Sequence, residues 1–187
     1  MLASGADSVI DFSHFVLPKP KHQSRDLSHH PESYSNPSTP LTNSPFFHFY
    51  AGYTPQRLYL STKYRNTTTT AHQLWTPTQL ITSTYEPGTQ ITDHFEVLSK
   101  TRVGRLQSIL VRCGDSPLKR EVRPSDGLFE IAAEVNVDKG YTEFRLKSIF
   151  YQGLGKAEEK PIGGFGEWLH RQYTKLWMES AVRNVRR

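Results

Sequence analysis

The feature that most restricts this chain is a period of two. Between Leu106 and Tyr151 apolar and polar residues alternate in three separate runs. Ile109, Val111 and Cys113 fall on one side of one run, and Phe129, Ile131, Ala133, Val135 and Val137 on one side of the next. Phe144, Leu146 and Phe150 share a side of a third run, opposite Glu143, Arg145 and Lys147. Successive side chains of a β-strand point to opposite faces, so such a pattern predicts strands with one buried and one wet face. Asp126-Gly127 is read as preceding the middle strand. Asp138-Lys139-Gly140 is short enough for a hairpin connection, with Gly140 supplying the positive φ. An antiparallel meander is the simplest arrangement. The same alternation, read upstream, predicts a strand from Ile91 to Ser99 with Ile91, Asp93, Phe95, Val97 and Ser99 on one face.

The period changes near the end of the chain. After Pro161, Gly163 and Gly164, the residues Phe165, Leu169, Tyr173, Leu176 and Trp177 recur three and four apart, as on one stripe of a helix. Glu167 lies in its first turn and Arg183, Arg186 and Arg187 near its end, as a helix dipole favours. About 20 helical residues span ~30 Å, enough to cross the concave face of a small sheet. The expected fold class is therefore α+β, a curved antiparallel sheet packed on a long C-terminal helix.

The first half is less regular. Residues 1–17 hold a short apolar pattern (Val9, Ile10, Phe12, Phe15, Val16) that reads as a first strand or a docking segment. Residues 18–44 are rich in Pro, Ser, His and Asn and offer little to bury, so a flexible loop is expected. The main domain is then 45–187. It opens with an aromatic segment (Phe46 to Tyr64) read as two short helical pieces broken at Pro55. A polar loop follows at Asn66–Thr70, and Pro87-Gly88 marks a turn. Trp75–Tyr85 fits neither helix nor strand clearly.

Composition excludes several classes. No apolar run approaches the roughly 18 residues that cross a bilayer, and Asp7 and Asp11 interrupt the N-terminal apolar stretch, which does not read as a signal peptide. The single cysteine allows no internal disulfide, so a cytoplasmic setting is expected. A net charge of +5, with acidic and basic residues interleaved, is modest, and nucleic acid is an unlikely partner.

Certain runs carry a resemblance. They are Ser44-Pro45-Phe46, Pro87-Gly88, Ile109-Leu110-Val111-Arg112-Cys113-Gly114-Asp115, Asp126-Gly127-Leu128-Phe129-Glu130-Ile131, and Trp168-Leu169-His170-Arg171. In this order they resemble an uncharacterised family of stand-alone domains, some of whose members follow a Rossmann domain of the nucleotide-sugar-epimerase type. That likeness covers residues 44–185, and the layout also resembles the START-like helix-grip class. That resemblance implies a helix-grip-like fold and a lipophilic ligand between sheet and helix, and in a minority of cases cyclisation or dehydration there. The chain has Gly127-Leu128-Phe129-Glu130 where a His-Leu-Asp-Phe-like run would fit the family.

No phosphate-binding loop, zinc signature or nucleophile elbow is present in the sequence, and no metal or cofactor is expected. His29-His30 reads as a surface pair rather than a metal site. Gly163-Gly164-Phe165-Gly166 reads as a hinge rather than an anion site. Cys113 is expected inside as a small apolar residue, with His94 on the opposite face and unable to activate it. Asp93, Thr142, Ser148 and Tyr173 are polar residues that share faces with apolar neighbours, His170 lies at the edge of the helix stripe, and the candidate acid–base groups are Asp93, Thr142 and Tyr173. Arg112 with Asp115, and Glu130 with Arg145, are expected as cross-strand ion pairs. The leading reading is a module whose cavity, lined by Phe95, Val97, Ile109, Val111, Phe144, Leu146, Leu169, Tyr173 and Trp177, holds a small lipophilic molecule. Two alternatives stand beside it. One is a cyclase, isomerase or dehydratase on the same scaffold, and the other is a ligand-free interaction domain with a filled core.

Overall fold

A computed structural model describes residues 8–18, 50–154 and 163–185. The segment 18–44, the His29-His30 pair and the aromatic residues 46–49 lie almost wholly outside the described residues. Six antiparallel strands form one sheet in the order β1-β6-β5-β4-β3-β2. They are β1 (Ser8–Pro18), β2 (Gln90–Ile91), β3 (Phe95–Val103), β4 (Leu106–Cys113), β5 (Ser125–Asn136) and β6 (Tyr141–Gln152). Strands β2 to β6 follow one another as a meander, and β1 closes the far edge against β6. Among the described residues three helices accompany the sheet, giving an α+β class: α1 (Tyr50–Tyr64), α2 (Pro77–Thr82) and α3 (Gly164–Val185). Among the described residues no helix is long and apolar enough to cross a membrane.

The alternation places the inner face of the central strands in register. Val97, Val111, Phe129 and Ser148 form one cross-strand row, and Ile109, Ile131 and Leu146 the next. Ala133 stands opposite Phe144. These rows, with Tyr85, Ile91, Trp177 and Met178, make up the core. At ~25 cal/mol per Å² of apolar area, each fully buried side chain of this kind contributes about 1.5–3 kcal/mol. The hairpin between β5 and β6 turns at Gly140, whose φ is +67°.

Several elements depart from the sequence reading. Asp126-Gly127 lies inside β5, not before it. Ile91–Ser99 is not one strand. Ile91 pairs with Phe95, so Thr92, Asp93 and His94 form a tight reversal, with φ of +50° at Thr92 and +53° at Asp93. Three contacts hold this sparsely populated backbone: Thr92 N donates to Leu74 O (3.2 Å), the fully buried Gln73 side chain accepts from Asp93 N, and His94 N donates to Ile91 O. A bulge at Leu98 then shifts the register between Val97 and Ser99. The inward run of β5 ends at Ala133, because Val135 and Val137 are exposed.

In α1 the helix runs through Pro55 as a single element. A proline near the first turns removes only one intrahelical bond. Trp75–Tyr85 resolves into α2, opened by a capping box in which Thr76 and Gln79 bond each other's backbone, with Pro77 next. Asn66–Thr70 is a knot rather than a loose loop: Asn66 Oδ1 accepts from the backbone N–H of Thr68, Thr69 and Thr70 at 2.7–3.2 Å.

The ion pairs also differ. Asp115 bonds Lys119, and Arg145 bonds Glu134 at 2.6 Å. Arg112 bonds Asp126, which also receives the buried Arg123. That cluster sits on the face opposite the core, where residues 114–123 fold back over the sheet. Arg123 donates there to the carbonyls of Asp115, Ser116 and Lys119.

Candidate functional site

A cavity of about 550 Å³ lies between one end of the sheet and α3. Its floor is Phe95, Cys113 and Phe150, which share one cross-strand row with Gly127, together with Phe129, Leu146 and Ser148. Its roof is Gly166, Leu169, His170, Tyr173, Thr174 and Trp177 of α3, and Gln56 of α1 and His94 of the β2–β3 reversal close the sides. The space exists because the floor carries small residues there. Elsewhere Ile131 and Phe144 pack into the core, but here the floor offers the short side chains Cys113 and Ser148, in neighbouring cross-strand rows. Gly127 pairs with both Cys113 and Phe150, and a Cβ on it would lie 2.8 Å from Cys113 Sγ and 3.3 Å from the Phe150 ring, so a larger residue there would displace them.

The helix meets the sheet through a different face from the one its apolar spacing indicates. Thr174, Trp177 and Met178 are buried and Tyr173 is half-buried, whereas Phe165, Leu169 and Leu176 face outward. The Trp177 ring packs edge-on to Phe129 at 5.9 Å and tilted against Tyr173 at 5.5 Å. Thr174 satisfies its hydroxyl within the helix by donating to His170 O (2.8 Å), which makes a polar residue acceptable at a buried position.

Five of the nine expected lining residues border this cavity: Phe95, Leu146, Leu169, Tyr173 and Trp177. Val97, Ile109, Val111 and Phe144 lie in the packed core beside it. Of the candidate acid–base groups, Tyr173 borders the cavity and donates its hydroxyl to Gln56 Oε1 at 2.7 Å. Asp93 does not; its carboxylate accepts from Ser116 Oγ (2.6 Å) and Gln73 Nε2 (3.2 Å). Thr142 stands near the start of β6, paired with Val135 and away from the cavity. His94 is not on the wet face of a strand: the reversal swings it onto the cavity wall, where its ring meets Phe95 edge-on at 4.7 Å. His170 meets Phe150 in the same way, also at 4.7 Å.

Burial sets the protonation of these groups. It lowers His94 and His170 below the ordinary imidazole value, with Asp115 and Asp93 partly opposing it at His94. It pushes the Cys113 thiol up to about 12 and raises Tyr173 above the usual phenol value. At neutral pH the cavity therefore holds neutral imidazoles, a protonated thiol and a phenol. A thiolate–imidazolium pair does not form, so Cys113 acts as a small buried residue.

Among the described residues the lining contains no Lys, Arg, Asp or Glu. The wall offers apolar and aromatic surface with a few neutral hydrogen-bonding groups: Gln56, His94, Ser148, His170 and Tyr173. Gln56, His94 and His170 could be found in the sequence only by knowing how α1, the reversal and α3 meet. The short side chains at Cys113 and Ser148 were the available signal, and they become informative only once the register is known. No three His, Cys, Asp or Glu side chains cluster as metal ligands among the described residues. No family model, curated protein or solved structure matches the chain.

Proposed function

We propose that this protein binds a small, uncharged lipophilic molecule between its sheet and its C-terminal helix, in the manner of a START-like helix-grip domain. The observation that carries this reading is the 550 Å³ space under α3, bordered by five aromatic rings besides the two imidazoles (Phe95, Phe129, Phe150, Tyr173, Trp177). Cavities of ~300–1,000 Å³ lined by apolar groups with a few polar ones are the usual dimensions of small-molecule sites. A charged ligand would lose its hydration without gaining a counter-charge from the described lining, so a neutral one is favoured. The Ser148 hydroxyl, the two imidazoles and the Gln56–Tyr173 pair supply the points that orient it.

The acid–base alternative has less support, because only Tyr173 of its three candidates borders the cavity. The filled-core alternative has less support because the space under α3 is open.

The test uses two dyes with the same aromatic body, N-phenyl-1-naphthylamine and its sulfonated relative 1-anilinonaphthalene-8-sulfonate. The neutral dye should be taken up with enhanced fluorescence and the sulfonate bound at least ~10-fold more weakly. Ser148→Phe, which projects a ring into the open space, should abolish uptake while leaving the thermal unfolding transition cooperative. Uptake by Ser148→Phe equal to wild type would exclude this cavity as the binding site. Native mass spectrometry of the purified protein, beside a denatured control, would then give the mass of any molecule it carries.

A further inference from the structure

The polar groups around the cavity differ in the hydrogen-bonding capacity they have left. The Tyr173 hydroxyl is given to Gln56, and that of Thr174 to its own helix. The Ser148 hydroxyl and the His94 ring border the space and, among the described residues, make no hydrogen bond. Ser148 is 4% exposed, so a partner for its hydroxyl can come only from within the cavity. His94 is aimed there by a strained backbone. The reversal before β3 holds Thr92 and Asp93 at positive φ, a conformation that costs free energy and persists only where the surroundings enforce it. Thr92 and Gln73 are fully buried, and the Gln73 amide bonds both the N–H and the carboxylate of Asp93. What this strain yields is an imidazole on the cavity wall. The two groups stand at opposite sides of the floor: His94 immediately precedes β3 and Ser148 lies on β6, with β4 and β5 between them. Three strand spacings come to ~14 Å. A hydrogen bond of ~2.8 Å at each end leaves ~8 Å between the ligand's own polar atoms, about the span of two fused rings. The lining between the two anchors is apolar, with Phe95, Cys113, Phe129 and Trp177.

We infer that the cavity selects a neutral molecule with an aromatic body and a hydroxyl or carbonyl at each end, one end read by His94 and the other by Ser148. This rests on the ligand reading above and narrows it. A neutral imidazole offers one donor and one acceptor, and a serine hydroxyl offers both, so each can meet a hydroxyl or carbonyl with no ionic charge on either side. The aromatic rings of the lining favour a flat body that packs face or edge against them over a flexible aliphatic chain. A pure hydrocarbon would shut the Ser148 hydroxyl and the His94 ring away from water without a partner, and that penalty counts against it. His94 and Ser148 are thereby the specificity-determining residues of the site.

The experiment is titration of the full chain at neutral pH with naphthalene and 2,6-dihydroxynaphthalene, which share one body and differ only in their polar ends, read by the probes' own fluorescence and by calorimetry. The diol should bind wild type at least as tightly as naphthalene, although water holds it more strongly. His94→Leu and Ser148→Ala should each weaken the diol ~10-fold while leaving naphthalene within ~2-fold of wild type. His94→Gln, which restores a donor and an acceptor, should recover most of the diol affinity that His94→Leu loses. Tighter binding of naphthalene than of the diol by wild type, or equal losses of both probes in the two variants, would overturn the inference. Naphthalene uptake that Ser148→Phe blocks would leave the ligand reading standing in either case. Uptake of neither probe by wild type would sink the ligand reading and this inference with it.

Discussion

Replacing Asp126 by Asn should cost this protein far more than any exposed ion pair does. Asp126 Oδ2 accepts from Arg112 Nε at 2.6 Å, and Oδ1 accepts from Arg123 Nη1 at 3.4 Å and from Gly127 N at 3.0 Å. The side chains of Asp126 and Arg123 are 2% and 3% exposed, that of Arg112 23%. The amide removes the negative charge and sets an N–H₂ donor against a guanidinium. Arg112 can turn toward water, but Arg123 cannot, because it is buried and its Nη1 and Nη2 groups are tied to three loop carbonyls. Removing one partner of a buried pair destabilises by about 3–5 kcal/mol, since the remaining charge stays desolvated. With ~2–4 °C of melting temperature per kcal/mol for a chain of this size, the midpoint should fall by roughly 10 °C. The control is Glu134→Gln. Its pair with Arg145 is equally short at 2.6 Å, yet Glu134 is 46% exposed. Exposed pairs contribute at most about 1 kcal/mol. Urea denaturation and thermal scans of both variants decide the matter. Equal shifts for the two, or a shift below about 1 kcal/mol for Asp126→Asn, would refute the argument that burial, not distance, sets the value of these pairs.

Three further outcomes are expected. Folding depresses His94 and His170 below 6.5, so the unfolded chain takes up protons that the folded chain refuses. Stability should be flat above that value and fall as pH drops through the window below it, when measured by urea midpoints between about pH 8 and pH 5; a His94→Gln/His170→Gln variant that kept the same slope would contradict this. The Cys113 thiol, pushed up to about 12 and largely buried, should react with a disulfide reagent at least ~10-fold more slowly in the folded protein than in urea, and equal rates would place it outside the wall. Asn66→Ala should cost about 1–2 kcal/mol, because three backbone N–H groups lose a common acceptor; a neutral result in thermal unfolding would show that water replaces it.

Most of the sheet could be read before any coordinates. The runs that became β4, β5 and β6 have a strict period of two, and a buried face tolerates no slip of register, so the inner residues Ile109, Val111, Phe129, Ile131, Phe144 and Leu146 follow from the pattern. The reading failed at Asp93 because alternation cannot report a reversal that keeps the same periodicity on paper. The bond between Asp93 N and Gln73, and the close approach of Leu74, are non-local. It failed in part at α3 for a related reason: the sequence there holds two apolar arcs, and spacing does not tell which one docks.

What the sequence determined by itself is local and periodic: strands where residues alternate, a helix where they recur every three or four, a turn where Gly140 permits positive φ. The tertiary structure alone decided the rest. It chose the Tyr173–Trp177 arc of α3 for burial, brought His94, His170 and Gln56 to one cavity, and set the short side chains Cys113 and Ser148 in neighbouring rows of its floor. The physical reason is that burial belongs to surfaces that meet. A residue's own neighbours in the chain set its conformation, whereas the space around its side chain depends on segments tens of residues away.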